Sequence, residues 1–201
     1  TVHITVSGGS VTGNIYARGQ VSGDTVTGTS TVKFEGSTDY CCNVYGYDYV
    51  PVSGSALTST GTSDLEFSDY TGTISGDIGG FDAIAFTGDA RTSLTGTVAN
   101  GMWAFDLTDR SDTLTNYAML DWSGSGEGAN HVAVTFSDST QAKGGWSIAS
   151  VADFGAGTTF DLTVGETSVA TGLAYNTAIG GSGDYADWGF KLDDGVLKFA
   201  N

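Results

Sequence analysis

The sequence predicts an all-β protein built as a β-solenoid with irregular coils, a β-sandwich being the alternative. Three observations carry that expectation. Gly, Thr and Ser supply 80 of the 201 residues, a composition poor in strong helix formers. Short segments of alternating apolar residues, each closed by a turn residue, recur along the whole chain. Longer blocks repeat in tandem within the first third. Hydrophobic residues make up 39% and aromatics 11%, which is enough for a packed core and too much for a disordered chain.

The short unit reads apolar, any, apolar, then a hydroxyl or acidic residue, then Gly or Asp. It occurs as Val32-Lys33-Phe34-Glu35-Gly36, Leu65-Glu66-Phe67-Ser68-Asp69 and Ile84-Ala85-Phe86-Thr87-Gly88. It returns as Phe105-Asp106-Leu107-Thr108-Asp109, Leu120-Asp121-Trp122-Ser123-Gly124 and Val134-Thr135-Phe136-Ser137-Asp138, with looser copies at Phe160-Asp161-Leu162-Thr163 and Phe190-Lys191-Leu192-Asp193. Alternation gives a strand one buried face, and the Gly, Asp or Ser that follows makes the turn. A spacing of about 20 residues suits one coil of a solenoid. Hairpin signals at intervals of about 8–12 residues, as in a sandwich, are scarce, Asn100-Gly101 being the main candidate.

The chain reads as one domain, 1–201. Residues 1–80 hold two longer tandem units: Asn14-Ile15-Tyr16-Ala17 returns as Asn43-Val44-Tyr45-Gly46, Val21-Ser22-Gly23 as Val52-Ser53-Gly54, and Gly28-Thr29-Ser30 as Gly61-Thr62-Ser63. An aromatic-rich insertion, Tyr40–Val50, sits in the second. Shorter coils follow over 81–143, then a looser C-terminal cap region, 144–201, where Trp146–Phe154 suits a short helix or a strand.

These repeats resemble those of AIDA-type autotransporter adhesin passengers, bacterial surface proteins rich in Gly, Ser and Thr. The resemblance lies in Val11-Thr12-Gly13-Asn14-Ile15-Tyr16, the Gly-Thr-Ser turns and the closing segment Trp188–Phe199. It implies a right-handed parallel β-helix, an extracellular or bacterial cell-surface location and an adhesive role. It brings no catalytic residues. Departures from the pattern are Ala17-Arg18-Gly19, Gly46-Tyr47-Asp48, and Cys42 standing before Asn43 where Gly is usual.

A net charge of −16 with seven scattered basic residues argues against nucleic acid, which needs a clustered basic surface. No apolar stretch approaches the roughly 20 residues of a membrane-spanning helix. Candidate sites are few. Tyr45, Tyr47 and Tyr49 alternate, so an extended segment places them on one side, either as a ligand-binding platform or as a flank of the core. Cys41 and Cys42 are adjacent: either two free thiols on opposite faces, a strained vicinal disulfide, or bridges to another chain. Asp184 and Asp187 follow a glycine-rich run, Gly180-Gly181-Ser182-Gly183, which suits either a calcium loop or a plain turn. Asp106 and Asp121 fall at matching places in the short unit, so they are expected to stack on one outward face. His3 and His131 have no nucleophile near them in sequence and read as surface residues. The two ends, Val2-His3-Ile4-Thr5-Val6 and Val196-Leu197-Lys198-Phe199, are both strand-like and suggest head-to-tail self-association into filaments.

The function expected is therefore a non-enzymatic secreted or cell-surface module, structural or adhesin-like, with a host or matrix glycan or protein as possible partner and no cofactor beyond possible calcium. The alternative is a carbohydrate-active β-helix enzyme, a polysaccharide hydrolase or lyase.

Overall fold

The computed structural model describes residues 1–17, 25–47, 58–99, 101–126, 128–152, 154–155 and 157–201. Strands β1 (Val2–Val6), β2 (Ile15–Tyr16) and β3 (Thr25–Val26) come first, and β4 (Thr29–Phe34), β5 (Val44–Tyr45) and β6 (Thr58–Ser59) repeat that order. Next are β7 (Thr62–Ser68), β8 (Thr73–Ile74) and β9 (Ile78–Gly79), then β10 (Ala83–Thr87) and β11 (Thr92–Leu94). After them come β12 (Gly101–Asp106), β13 (Leu120–Trp122), β14 (Ala129–Phe136), the single-turn α1 (Ser139–Ala142) and β15 (Ala149–Ser150). The chain ends with β16 (Thr159–Val164), β17 (Thr167–Ala174), β18 (Gly189–Asp193) and β19 (Val196–Ala200).

Links such as those joining β7, β8 and β9 are too short to return a strand parallel to its predecessor. Up to β15, therefore, each strand pairs with strands other than the ones next to it in sequence. The long sheet runs β1-β4-β7-β10-β12-β14-β16-β17, and a second runs β18-β19-β15-β13-β11-β8. A third runs β2-β5-β9, and β3 pairs with β6. Pairing is parallel everywhere except at the C-terminal end, where β17 lies antiparallel on β16 and β19 lies antiparallel between β15 and β18.

Parallel register stacks like residues on like. Val6, Phe34, Phe67, Phe86, Phe105, Val134 and Leu162 form one inward column, and Ile4, Val32, Leu65, Ile84, Trp103, Val132 and Phe160 the next. Within the first column four rings stack, Phe34 on Phe67 at 5.6 Å, Phe67 on Phe86 at 5.3 Å and Phe86 on Phe105 at 5.0 Å. All four are buried, each worth roughly 1.5–3 kcal/mol in transfer free energy.

The corners are built from two devices. One is glycine without alternatives: a Cβ on Gly76 would strike the Cys42 carbonyl, one on Gly96 the Gly76 carbonyl, and one on Gly124 the Gly96 carbonyl. The other is an acidic or amide side chain that accepts a backbone N–H one circuit on. Asn43 takes the Asp77 N–H at 2.8 Å, and Asp77 takes that of Thr97 at 2.9 Å. Likewise Asp69 takes the Asp89 N–H and Asp89 that of Ser111, both at 2.8 Å. Part of the chain's negative charge thus serves these turns.

Several expectations need revision. Asp106 stacks on Thr87 and Thr135 in the long sheet, whereas Asp121 lies between Ser93 and Ser150 in the second. The two carboxylates do not share a face, because the same alternation marks strands of both sheets. Gly101 opens a parallel strand, β12, rather than a hairpin. The hairpins are instead β16–β17, turning at Gly165, and β18–β19, turning at Asp194-Gly195 with φ of 51° and 76°, as type I′ turns require. Nor is the last strand an open end, since β19 has a neighbour on each side. Residues 14–17 and 43–46, aligned above by sequence, are in register: Ile15 pairs with Val44 and Tyr16 with Tyr45. The repeats Val21-Ser22-Gly23 and Val52-Ser53-Gly54 lie outside the described residues.

Candidate functional site

The aromatic segment expected to bind a ligand packs inward. Tyr45 and Tyr47 are only 7% and 5% exposed, and Tyr40, Cys42 and Val44 are buried beside them. They do not form an exposed platform; Tyr49 lies outside the described residues. Tyr45 lines a hollow of about 200 Å³ with Asp77, Gly79 and Thr97. The two thiols are free, Cys41 exposed and Cys42 buried. Successive side chains of an extended segment point to opposite sides, so no disulfide joins them, and burial pushes the Cys42 thiol up.

Asp184 and Asp187 are both exposed in the loop between β17 and β18. Among the described residues no group of three His, Cys, Asp or Glu side chains converges there or elsewhere. Calcium takes six to eight oxygens, so carbonyl groups and water would have to complete a site on these two carboxylates.

An arrangement hidden in the sequence appears on the outer face of the long sheet. His131 meets the Thr159 hydroxyl at 2.9 Å through Nδ1 and the Asp161 carboxylate at 3.0 Å through Nε2. Asp161 also accepts the Gly172 N–H at 2.8 Å, so the network ties β14, β16 and β17 together. Its partners lie 28 and 30 residues from His131 and meet only through register. A hydrolytic triad also needs oxyanion donors aimed at a reacting carbonyl, and the N–H groups of interior strands face their neighbours in the sheet.

The surface feature best suited to a ligand is a groove of about 400 Å³ on the second sheet, lined by Arg91, Ser93, Asn116, Tyr117, Asp121 and Ser150 among others. Ser93, Asp121 and Ser150 sit side by side on three parallel strands. Tyr117 is 55% exposed, one of two large hydrophobic side chains so displayed among the described residues. The Arg91 guanidinium stands 5.7 Å from the centre of its ring, within cation–π range. Neither Arg91 nor Asp121 makes an ion pair among the described residues.

Arg110, beneath the groove, builds it. This side chain is buried and donates to the carbonyls of Gly88 at 3.3 Å, Ala90 at 2.8 Å and Tyr117 at 2.7 Å. It therefore ties the backbone next to Arg91 to that of Tyr117, across residues 107–119 that link β12 and β13. Burial lowers the Arg110 pKa, and Asp89 nearby opposes that shift. The Ser111 hydroxyl and N–H hold the Asp89 carboxyl below its ordinary range.

Asp64 shows the opposite behaviour. Burial, then the charge of Asp82, raises its pKa, while Asp82 itself accepts the Ser63 N–H. A folded-state carboxyl pKa above the unfolded value of about 3.9 costs stability as pH rises from that value through the folded one. Asp64→Asn is expected to raise the thermal midpoint at neutral pH, the advantage vanishing below about pH 4. Melting curves across pH 3–8 check this, and a gain that persists at the acid end would contradict it.

The chain matches no family model, no curated protein and no solved structure.

Proposed function

We propose that this protein is a right-handed parallel β-helix that works as a non-enzymatic binding module, secreted or displayed on a bacterial surface, with a glycan as its ligand. Support for the helix comes from strands that revisit the same sheets in rotation, in parallel register, a pattern foreign to hairpin-built sandwiches. Support for binding rests on one observation: exposed Tyr117, with Arg91 over its ring, beside the unpaired Asp121 carboxylate. An aromatic face takes the apolar face of a sugar ring, and Arg91, Asn116 and Asp121 supply donors and an acceptor for its hydroxyls. A rigid stack of strands suits that task, because the groove is preorganised and little is lost on ordering it.

The alternative, a carbohydrate-active enzyme, draws on a second hollow of about 370 Å³ where Asp112 and Asp138 share the lining with Trp146. Glycoside hydrolysis needs two such carboxylates, but Asp138 is already engaged, capping α1 by accepting the N–H groups of Thr140 and Gln141. A glycan array paired with a depolymerisation assay separates the two readings. Binding without turnover, weakened about tenfold or more by Tyr117→Ala or Arg91→Ala, supports the binding module. Binding indifferent to both substitutions, or turnover lost in Asp112→Asn, would replace it.

A further inference from the structure

The groove on the second sheet has a direction. Its floor carries Ser93 on β11, Asp121 on β13 and Ser150 on β15, paired across adjacent parallel strands. Thr73 on β8 continues the row past Ser93, and Val196 on β19 ends its polar run beyond Ser150. Four oxygen-bearing side chains thus follow one another across four strands, about 4.8 Å apart at the backbone and about 14 Å from first to last. The ladder continues along the strands, since the Ser123 N–H donates to the Leu94 carbonyl at 3.1 Å. That sets the exposed Thr95 beside the exposed Ser123, the start of a second hydroxyl row. Arg91 and Tyr117, just before β11 and β13, flank the first row.

We propose that the ligand is an extended, neutral, β-linked polysaccharide lying across the strands with one sugar ring to each, an inference that rests on the glycan reading above. Its first support is the repeat. In an extended β-1,4-linked chain each ring carries the chain forward by one ring length, close to the spacing between strands. Successive rings therefore meet successive members of the row from Thr73 to Ser150. An α-1,4-linked chain curls away from a straight row after a ring or two.

The second support is the kind of side chain. Ser and Thr hydroxyls donate and accept, whereas an ionised Asp121 only accepts, so the row suits a ligand that brings hydroxyls at every step. The third is charge. Arg91 is the one cation lining the groove among the described residues, and it stands over one face of the Tyr117 ring. The other face is left for the sugar at β13. A uronate chain would bring a carboxylate with every ring, one of them beside Asp121, which makes no ion pair among the described residues. In a protein of net charge −16, that approach is repelled.

Calorimetric titration tests this with β-1,4-linked oligomers of glucose, N-acetylglucosamine, mannose and xylose, one to six rings long, beside malto-oligosaccharides and oligogalacturonides of equal length. In at least one β-linked series affinity is expected to rise about tenfold or more between two and four rings and to level off beyond four. Malto-oligosaccharides and oligogalacturonides are expected to bind about tenfold more weakly or worse. Asp121→Asn is expected to raise oligogalacturonide affinity about tenfold, a gain that misfolding cannot mimic. Binding that Tyr117→Ala abolishes, but that ignores chain length or linkage, overturns this inference and leaves the glycan reading standing. So does a wild-type preference for oligogalacturonides, or an Asp121→Asn protein that binds them as weakly as before. Absence of binding to every saccharide overturns both.

Discussion

Phe86→Ala is expected to destabilise the protein by about 3–5 kcal/mol, the range for emptying a large aromatic site in a sealed core. Phe86 is fully buried and stacks on Phe67 at 5.3 Å and on Phe105 at 5.0 Å, so its removal strips contacts from both neighbours. The backbone has little freedom to close the void. On either side of Phe86 the strands are held in continuous parallel ladders, and the glycine corners at Gly76 and Gly96 are already in contact. In the proposed β-helix each turn touches chiefly its neighbours, so a weakened middle also uncouples the two halves. Denaturant unfolding is therefore expected to lose cooperativity, with a shallower or two-step transition. A loss below about 1 kcal/mol, the size seen for surface changes, would mean that the ring stack does not carry the fold.

Arg110→Met is expected to cost about 3 kcal/mol, close to the loss from one or two hydrogen bonds to a charged donor, despite similar side-chain volume. Methionine fills the space but leaves the carbonyls of Ala90 and Tyr117 without their donor. Arg110→Lys is expected to do little better, because one ammonium cannot reproduce a planar fork that reaches carbonyls on separate segments. On the proposed function, the substitution should weaken glycan binding as well, since the groove loses the tie between the Arg91 and Tyr117 backbones. Comparing it with Tyr117→Ala separates the effects. The tyrosine variant loses binding at nearly unchanged stability, and the arginine variant loses both. Wild-type binding in a folded Arg110→Met protein would show that Arg110 does not shape the groove.

Much of the scaffold was legible because a parallel stack writes its register into the sequence. Val32-Lys33-Phe34, Leu65-Glu66-Phe67 and Ile84-Ala85-Phe86 look alike since they lie one above another. Alternation reports which face of a strand is buried but not which sheet the strand joins. For that reason Leu120-Asp121-Trp122 reads like Phe105-Asp106-Leu107, although it pairs with β11 and β15. The Asp194-Gly195 turn was a readable hairpin signal, and it corrects the picture of the C-terminal strand as an open end. The groove was not legible. Arg91 and Tyr117 lie on different circuits and meet through sheet stacking and through Arg110, whose burial no local pattern announces. The readable trace was an aromatic residue, Tyr117, in a stretch without alternation. The Tyr45–Tyr47 pattern, by contrast, is that of a strand flanking the core, and sequence alternation alone does not tell that from a surface platform.

The pairing of interior strands on both sides also bears on how the protein resists digestion. A protease needs several residues of chain drawn out and extended in its cleft, and interior circuits cannot supply them without breaking pairing on both sides. Cleavage is therefore expected in the loops between strands before it reaches a strand that is paired on both sides.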